Sequence, residues 1–154
     1  MSGTLAEASN PWLSWTYVQD YWPDLVAAGK EHVLLTVSSV LLAILVAVPL
    51  AMLIRQRPVL SGPILGLSGV LYTIPSLALI SLLWPVFGLS PWTVIIALAV
   101  YGLLVVLRNI VVGLQEVPAD VLDAATGMGL TERQILTRVS LPLAMPTILA
   151  GIRI

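Results

Sequence analysis

The sequence is poor in charge. Of its 154 residues only 10% are charged, 58% are hydrophobic, and the mean hydropathy is +1.01. A soluble domain carries about 25% charged residues. A water-coated globule is therefore excluded, and an integral membrane protein is the default. Cysteine is absent, which excludes a disulfide framework, an iron–sulfur cluster and a thiolate zinc site. Histidine occurs once, as His32, so a metal centre built on it would lack partners. Lysine also occurs once, as Lys30, and no Gly-rich phosphate loop is present, so the chain has no such route to ATP. The net charge of −1 supplies no basic face for nucleic acid. The N-terminus lacks the basic flank and short apolar core of a signal peptide, so membrane insertion rests on the spanning segments.

Long uncharged runs fill the space that charge leaves. Residues 33–54 are 22 residues without a charge, roughly 33 Å of helix and enough to cross a bilayer. Residues 58–107 are 50 more. As one helix they would measure roughly 75 Å, so they must fold back. Trp84, Pro85, Gly88, Ser90, Pro91 and Trp92 punctuate that run, and such residues make a turn at a membrane interface. The expected spans are 33–54, 63–83 and 92–107. A fourth starts near 143 and is expected to be cut short, because only 14 apolar residues follow Leu141 inclusive, Arg153 among them.

Basic residues set the expected orientation. Residues 1–32 and the loop 84–92 together hold only Lys30, whereas Arg55, Arg57, Arg108, Arg133 and Arg138 lie in the alternate loops. The N-terminus is expected outside and residues 108–140 inside. Trp12, Trp15, Tyr17, Tyr21 and Trp22 precede the first span and read as an interfacial belt. A cage for a quaternary ammonium group is the sharper alternative. Small residues recur at four-residue steps, Ser39, Ala43, Ala47 and Ala51 in the first span and Gly62 and Gly66 in the second. Such stripes let helices pack closely in lipid, within one bundle or between two copies. Pro75 is expected to kink the second span, with Thr73 or Ser76 satisfying the freed carbonyl. The kink is either packing or a gate.

Catalytic groups are missing. Asp120 and Asp123 sit three residues apart in a polar loop and form a solvated face, not a general acid–base pair. No ionisable residue lies inside the first three spans, which argues against a proton relay.

The loop 116–142 is the one long polar segment between spans. Pro118 fits the first turn of a helix, and Glu116 and Asp120 favour its positive end. Val117, Val121 and Ala124 or Ala125 share a helical face. Gly127 and Gly129 allow the left-handed residue that ends a helix. Thr131 and Gln134 form a capping box opening a second helix, with Ile135, Leu136 and Val139 as its apolar stripe. Pro142 breaks that helix or opens the next span. A helix–glycine turn–helix unit on the inner face is expected, and so small a hairpin is marginal unless it leans on the bundle or a partner.

This segment resembles the coupling loop of permease subunits of bacterial ATP-binding-cassette importers, whose pattern is Glu-Ala-Ala, three residues, Gly, nine residues, then Ile-x-Leu-Pro. Asp123-Ala124-Ala125, Gly129 and Val139, Leu141 and Pro142 stand at that spacing. The departures, Asp123 for Glu and Val139 for Ile, keep the chemistry. The run Leu71-Tyr72-Thr73-Ile74-Pro75-Ser76-Leu77-Ala78 is similar to the second-span signature of osmoprotectant permeases. The stretch from Tyr101 through Arg108 and Asn109 to Gly129 is similar as well.

The resemblance implies an all-α integral membrane protein with a type I importer (MetI-like) permease bundle, apparently truncated within the fourth span. It implies residues 1–32 as an extracytoplasmic segment and 33–154 as a permease domain in a bacterial plasma membrane. The function implied is ATP-driven import of glycine betaine, choline, carnitine or proline. Asp123, Ala124, Ala125, Gly129, Val139, Leu141 and Pro142 would couple to an ATPase, and Tyr72, Thr73, Pro75 and Ser76 would line a pathway or gate. The implied partners are a cytoplasmic ATP-binding subunit holding ATP and magnesium, a second permease subunit, identical or not, an extracytoplasmic substrate-binding protein, and membrane lipid. No cofactor is expected on this chain. The alternatives are import of another amino acid or a methionine-like solute, and a membrane scaffold without transport.

Overall fold

The computed structural model describes residues 15–153, and every regular element among them is helical. Residues 15–34 belong to one compact unit and 35–153 to another. In the first, α1 (Trp15–Asp20) is followed by the opening turns of α2 (Trp22–Gln56). Tyr17 and Tyr21 stack there, with ring centroids 4.6 Å apart. Trp12 lies outside the described residues. Trp15, Tyr21 and Trp22 are exposed.

The second unit holds the rest of α2, then α3 (Ser61–Thr73), α4 (Ser76–Phe87), α5 (Pro91–Gln115), α6 (Ala119–Gly127), α7 (Glu132–Ile135) and α8 (Leu141–Ile152). Helix α5 is its hub and packs against α3, α4 and α8. Its contact with α2 uses the small-residue stripe. Ser39, Ala43, Ala47 and Ala51 are all buried. Ala47, Ala51 and Ile54 pack into one cluster with Val106, Leu107, Ile110 and Val111 of α5. Ala43 Cβ lies 3.4 Å from where a Cβ on Gly102 would sit. The stripe is therefore occupied inside the chain, which removes it as a surface for a second copy.

The contact between α5 and α8 is tighter still. A Cβ on Gly113 would meet the Ala144 carbonyl at 3.1 Å, and one on Gly151 would meet Asn109 at 2.5 Å. Hydroxyl and amide groups in these helices bond their own backbone. Ser39 donates to Leu35 O, Ser68 to Ile64 O, and Asn109 Nδ2 to Val105 O. That arrangement leaves no buried polar side chain orphaned among the described residues, as a hydrocarbon solvent demands.

Helices α2, α5 and the continuous run Glu132–Ile152 are each long and apolar enough to cross a membrane. Most of their surface is uncovered, with Leu41, Leu45 and Leu149 exposed. Helix α5 continues to Gln115, eight residues past Leu107. Arg108 marks where apolar composition ends, but a charged side chain does not stop a helix.

Of the expectations from the sequence, one is corrected and one open alternative is resolved. The segment expected as one kinked span, 63–83, is broken: α3 and α4 meet at 98° across Ile74 and Pro75. Ile74 and Pro75 both take extended backbone, with ψ of 127° and 138°. The residue before proline is driven there by its clash with the proline ring. Second, Pro142 does not break the loop's second helix; it stands in the first turn of α8, the other expectation, with no gap between the two. A π-helical turn, Leu136–Ser140, joins α7 to α8, closed by a hydrogen bond from Leu141 N to Leu136 O. Proline cannot donate to the carbonyl four residues before it and its ring crowds that carbonyl. One widened turn absorbs the misfit and the helix goes on.

Candidate functional site

The loop motif folds as a compact unit at the end of α5. Glu116 ends α5, and Pro118 in extended backbone precedes α6. Asp120 lies in the first turn of α6, where a carboxylate suits the helix dipole. Val117 and Ala125 are buried, and Val121 and Leu122 are half-buried. This face packs on α7 and the π turn. Asp120, Asp123, Ala124, Gly127 and Met128 face outward. The two alanines of the motif thus separate: Ala125 is 1% exposed, while Ala124 is exposed. The outer face is small and acidic, with Met128 73% exposed at its tip.

The turn after α6 explains the glycine. Gly129 has φ +81°, and Gly127 stays helical. Gly129 N donates to Thr126 O at 2.9 Å and Leu130 N to Ala125 O at 3.2 Å. These two bonds define a Schellman termination, whose left-handed residue is normally glycine. Two residues later the capping box is complete. Gln134 N donates to Thr131 Oγ1, and Thr131 N donates to Gln134 Oε1 at 2.9 Å. Val139 and Leu141 are half-buried on the π turn and its exit, and Pro142 is exposed in the first turn of α8. A second link closes the unit: Thr147 Oγ1 of α8 donates to Glu116 Oε2 at 3.0 Å. The Glu116 and Thr147 pairing has no signal in local sequence, because 31 residues separate them.

Tyr72, Thr73, Pro75 and Ser76 come together at the break between α3 and α4, all of them exposed. Thr73 satisfies a carbonyl opened by the break, that of Val70, whose own donor Ile74 N turns to the Leu71 carbonyl. Its hydroxyl donates to Val70 O, one turn back in its own helix. The Leu71 carbonyl, deprived of a donor by Pro75, accepts instead from Ile74 N at 3.3 Å. The Ile74 carbonyl accepts from the hydroxyl of Tyr101 on α5. The rings of Tyr72 and Tyr101 meet edge to face, with centroids 5.9 Å apart. Tyr101 is the site residue that motif reading missed. Its one sequence signal is an aromatic side chain deep in an aliphatic helix.

Residues 39–154 match a protein family described as the binding-protein-dependent transport system inner membrane component. That match covers most of the chain. This protein belongs to that family. The family assignment agrees with the all-helical fold and its apolar helices. Among curated relatives, the chain is 34% identical over 139 residues to the carnitine transport permease protein OpuCB of Listeria monocytogenes, covering 90% of this chain and 64% of the relative. It is 40% identical over 123 residues to the glycine betaine/carnitine/choline transport system permease protein OpuCD of Bacillus subtilis, covering 80% and 54%. It is 37% identical over 134 residues to the osmoprotectant import permease protein OsmY of Salmonella typhimurium, covering 85% and 56%. This chain of the inner membrane component family therefore spans a little over half to two thirds of those relatives.

Proposed function

We propose that this chain is the membrane-spanning subunit of an ATP-driven importer of osmoprotectants such as glycine betaine, choline, carnitine or proline. The observation that carries the reading is the construction of α6. It is held from behind by Ala125 and Val117, set at a fixed angle by Gly129, and joined by the tight turn 128–131 to a spanning helical run. Its outer face of Asp123, Ala124 and Met128 is free to seat in a groove of a cytoplasmic ATPase, which would hold the ATP and magnesium.

The mechanism follows from rigidity. Glu132–Ile152 is one 21-residue run, so a force on α6 passes the hydrogen-bonded turn at Gly129 and then reaches α8 through helix. Glu116 and Thr147 tie the preceding hinge to the same helix. Helix α8 in turn grips α5 through Gly113 and Gly151. Motion at α6 is delivered to the hub of the bundle and to the broken span that Tyr101 holds. Tyr72, Thr73, Pro75 and Ser76 are assigned to the pathway. Residues 1–32 lie outside the cytoplasm and 33–154 form the permease domain. A second permease subunit and an extracytoplasmic binding protein complete the transporter. The names of the relatives support the solute class.

The test is uptake of labelled glycine betaine after osmotic upshift, in cells lacking other osmolyte transporters and supplied with the complete transporter. ATP-dependent uptake is expected, competed by choline, carnitine or proline. A transporter that assembles yet takes up none of the four would overturn the solute assignment.

A further inference from the structure

We propose that the Tyr72–Tyr101 pair and the Ile74 carbonyl form a contact point inside the membrane for the alkylated ammonium end of the transported solute. The inference rests on the transport reading above and names the group recognised at the broken span. It starts from an absence. No Asp or Glu occurs between Glu31 and Glu116, whereas Arg55, Arg57 and Arg108 lie in that interval. A cation crossing the portion of the pathway built by these spans meets no carboxylate. Carbonyl dipoles, hydroxyl and amide oxygens and aromatic faces are left to replace its water.

Aromatic faces and a carbonyl gather at one place. Between residues 33 and 115 the aromatics are Tyr72, Trp84, Phe87, Trp92 and Tyr101. Trp84, Phe87 and Trp92 flank the turn between α4 and α5. Tyr72 and Tyr101 are the two away from that turn, and they meet edge to face. Tyr72 is 48% exposed, so ring surface remains for a ligand. The extended backbone at the break leaves the Ile74 carbonyl outside the helical ladder, where it accepts from the Tyr101 hydroxyl, while the Pro75 carbonyl accepts from Leu79 N of α4. Irregular backbone at membrane depth is tolerated where it is buried in protein or lines a cavity. Tyr101 is the positioning residue: its hydroxyl fixes the Ile74 carbonyl and sets the angle of the ring pair. An alkylated ammonium suits this set because it donates few or no hydrogen bonds and takes its stabilisation from π faces.

The experiment uses the assembled transporter in proteoliposomes, with labelled choline and its neutral carbon isostere, 3,3-dimethylbutanol, as probes. Tyr72→Phe keeps the ring, and Tyr72→Leu removes it. The expected result is maximal choline uptake about tenfold lower in Tyr72→Leu and within about twofold of wild type in Tyr72→Phe, a cation–π contact in a desolvated site being of that order. Tyr101→Phe, which keeps the ring and frees the carbonyl, lowers choline uptake with unchanged half-saturation. Tyr72→Leu also narrows the preference for choline over the isostere. Equal uptake by wild type and Tyr72→Leu would overturn this inference and leave the transport reading intact. So would equal losses in the Phe and Leu variants at position 72, which mark a packing role. A wild-type transporter that moves no ammonium solute would overturn both.

Discussion

Gly129→Asp is expected to abolish uptake while the protein stays in the membrane at near wild-type level. The two halves of this result come from different observations. Nothing lies within 4 Å of the position a Cβ would take on Gly129. The substituent therefore clashes with no packed atom, and the fold survives. The cost is conformational, because φ of +81° lies where an L-residue gives up about 1–2 kcal/mol. Aspartate tolerates that region better than most residues. What changes is the coupling unit. The Schellman turn that fixes α6 against α7 is strained, and a carboxylate is added beside Met128 on an outer face that already carries Asp120 and Asp123. Both effects disturb docking far more than folding. Gly29→Ala is the control. Gly29 is helical in α2, equally open and not part of α6, so alanine there removes a helix-weakening glycine worth about 1 kcal/mol and should leave uptake unchanged. Membrane abundance measured beside uptake separates coupling from stability.

The second large effect is expected at the other end of the mechanical path. Gly151→Ala should destabilise the membrane domain, because the new Cβ would stand 2.5 Å from both Cβ and Cγ of Asn109. The Cβ of Asn109 cannot swing away by a rotamer change, so α5 and α8 must separate. Overpacking of this kind costs about 1–3 kcal/mol. Gly151→Val should cost more. The readout is thermal inactivation of the detergent-solubilised protein, with a lower midpoint expected for both. Asn109→Gly combined with Gly151→Ala removes the colliding atoms and should recover most of the loss, short of about 1 kcal/mol for the glycine placed in α5. Asn109→Ala keeps the Cβ and should rescue less. A Gly151→Ala protein as stable as wild type would show that α5 and α8 are not held at this spacing, and the proposed transmission from α8 to the hub would fail with it.

The helix–turn–helix unit after α5 was legible in sequence because its rules are local. The capping box at Thr131 and Gln134 and the left-handed turn at Gly129 each rest on residues within a few positions of one another. The four-residue stripe from Ser39 to Ala51 was equally readable as a packing surface, although its partner on α5 was not. What the sequence hid was decided at a distance. Pro75 is compatible with a kink or a break. The break is held by the Tyr101 hydroxyl, 27 residues on, and no local pattern reports such a contact. Pro142 read as a breaker or as the opening of the next span; it opens α8, and a π turn joins that helix to α7 without a break. The end of an apolar run and the end of a helix are also different things: charge marks the edge of the apolar layer, whereas hydrogen bonding sets the end of the helix. Arg108 in the middle of α5 is the case in point.

The central claim is that α6 seats against a cytoplasmic ATPase through its outer face. The chain has no cysteine, so a single introduced thiol is a unique address. Ala124→Cys and Ala125→Cys place that thiol on neighbouring residues of opposite burial, one exposed and the other 1% exposed. Labelled with a maleimide–photoreactive reagent in the assembled transporter, the thiol at position 124 should cross-link to the ATPase subunit, with a yield that changes when ATP is added. The thiol at position 125 should give little or no such product. Absence of a cross-link from position 124 in a transporter that still takes up its solute would contradict the account.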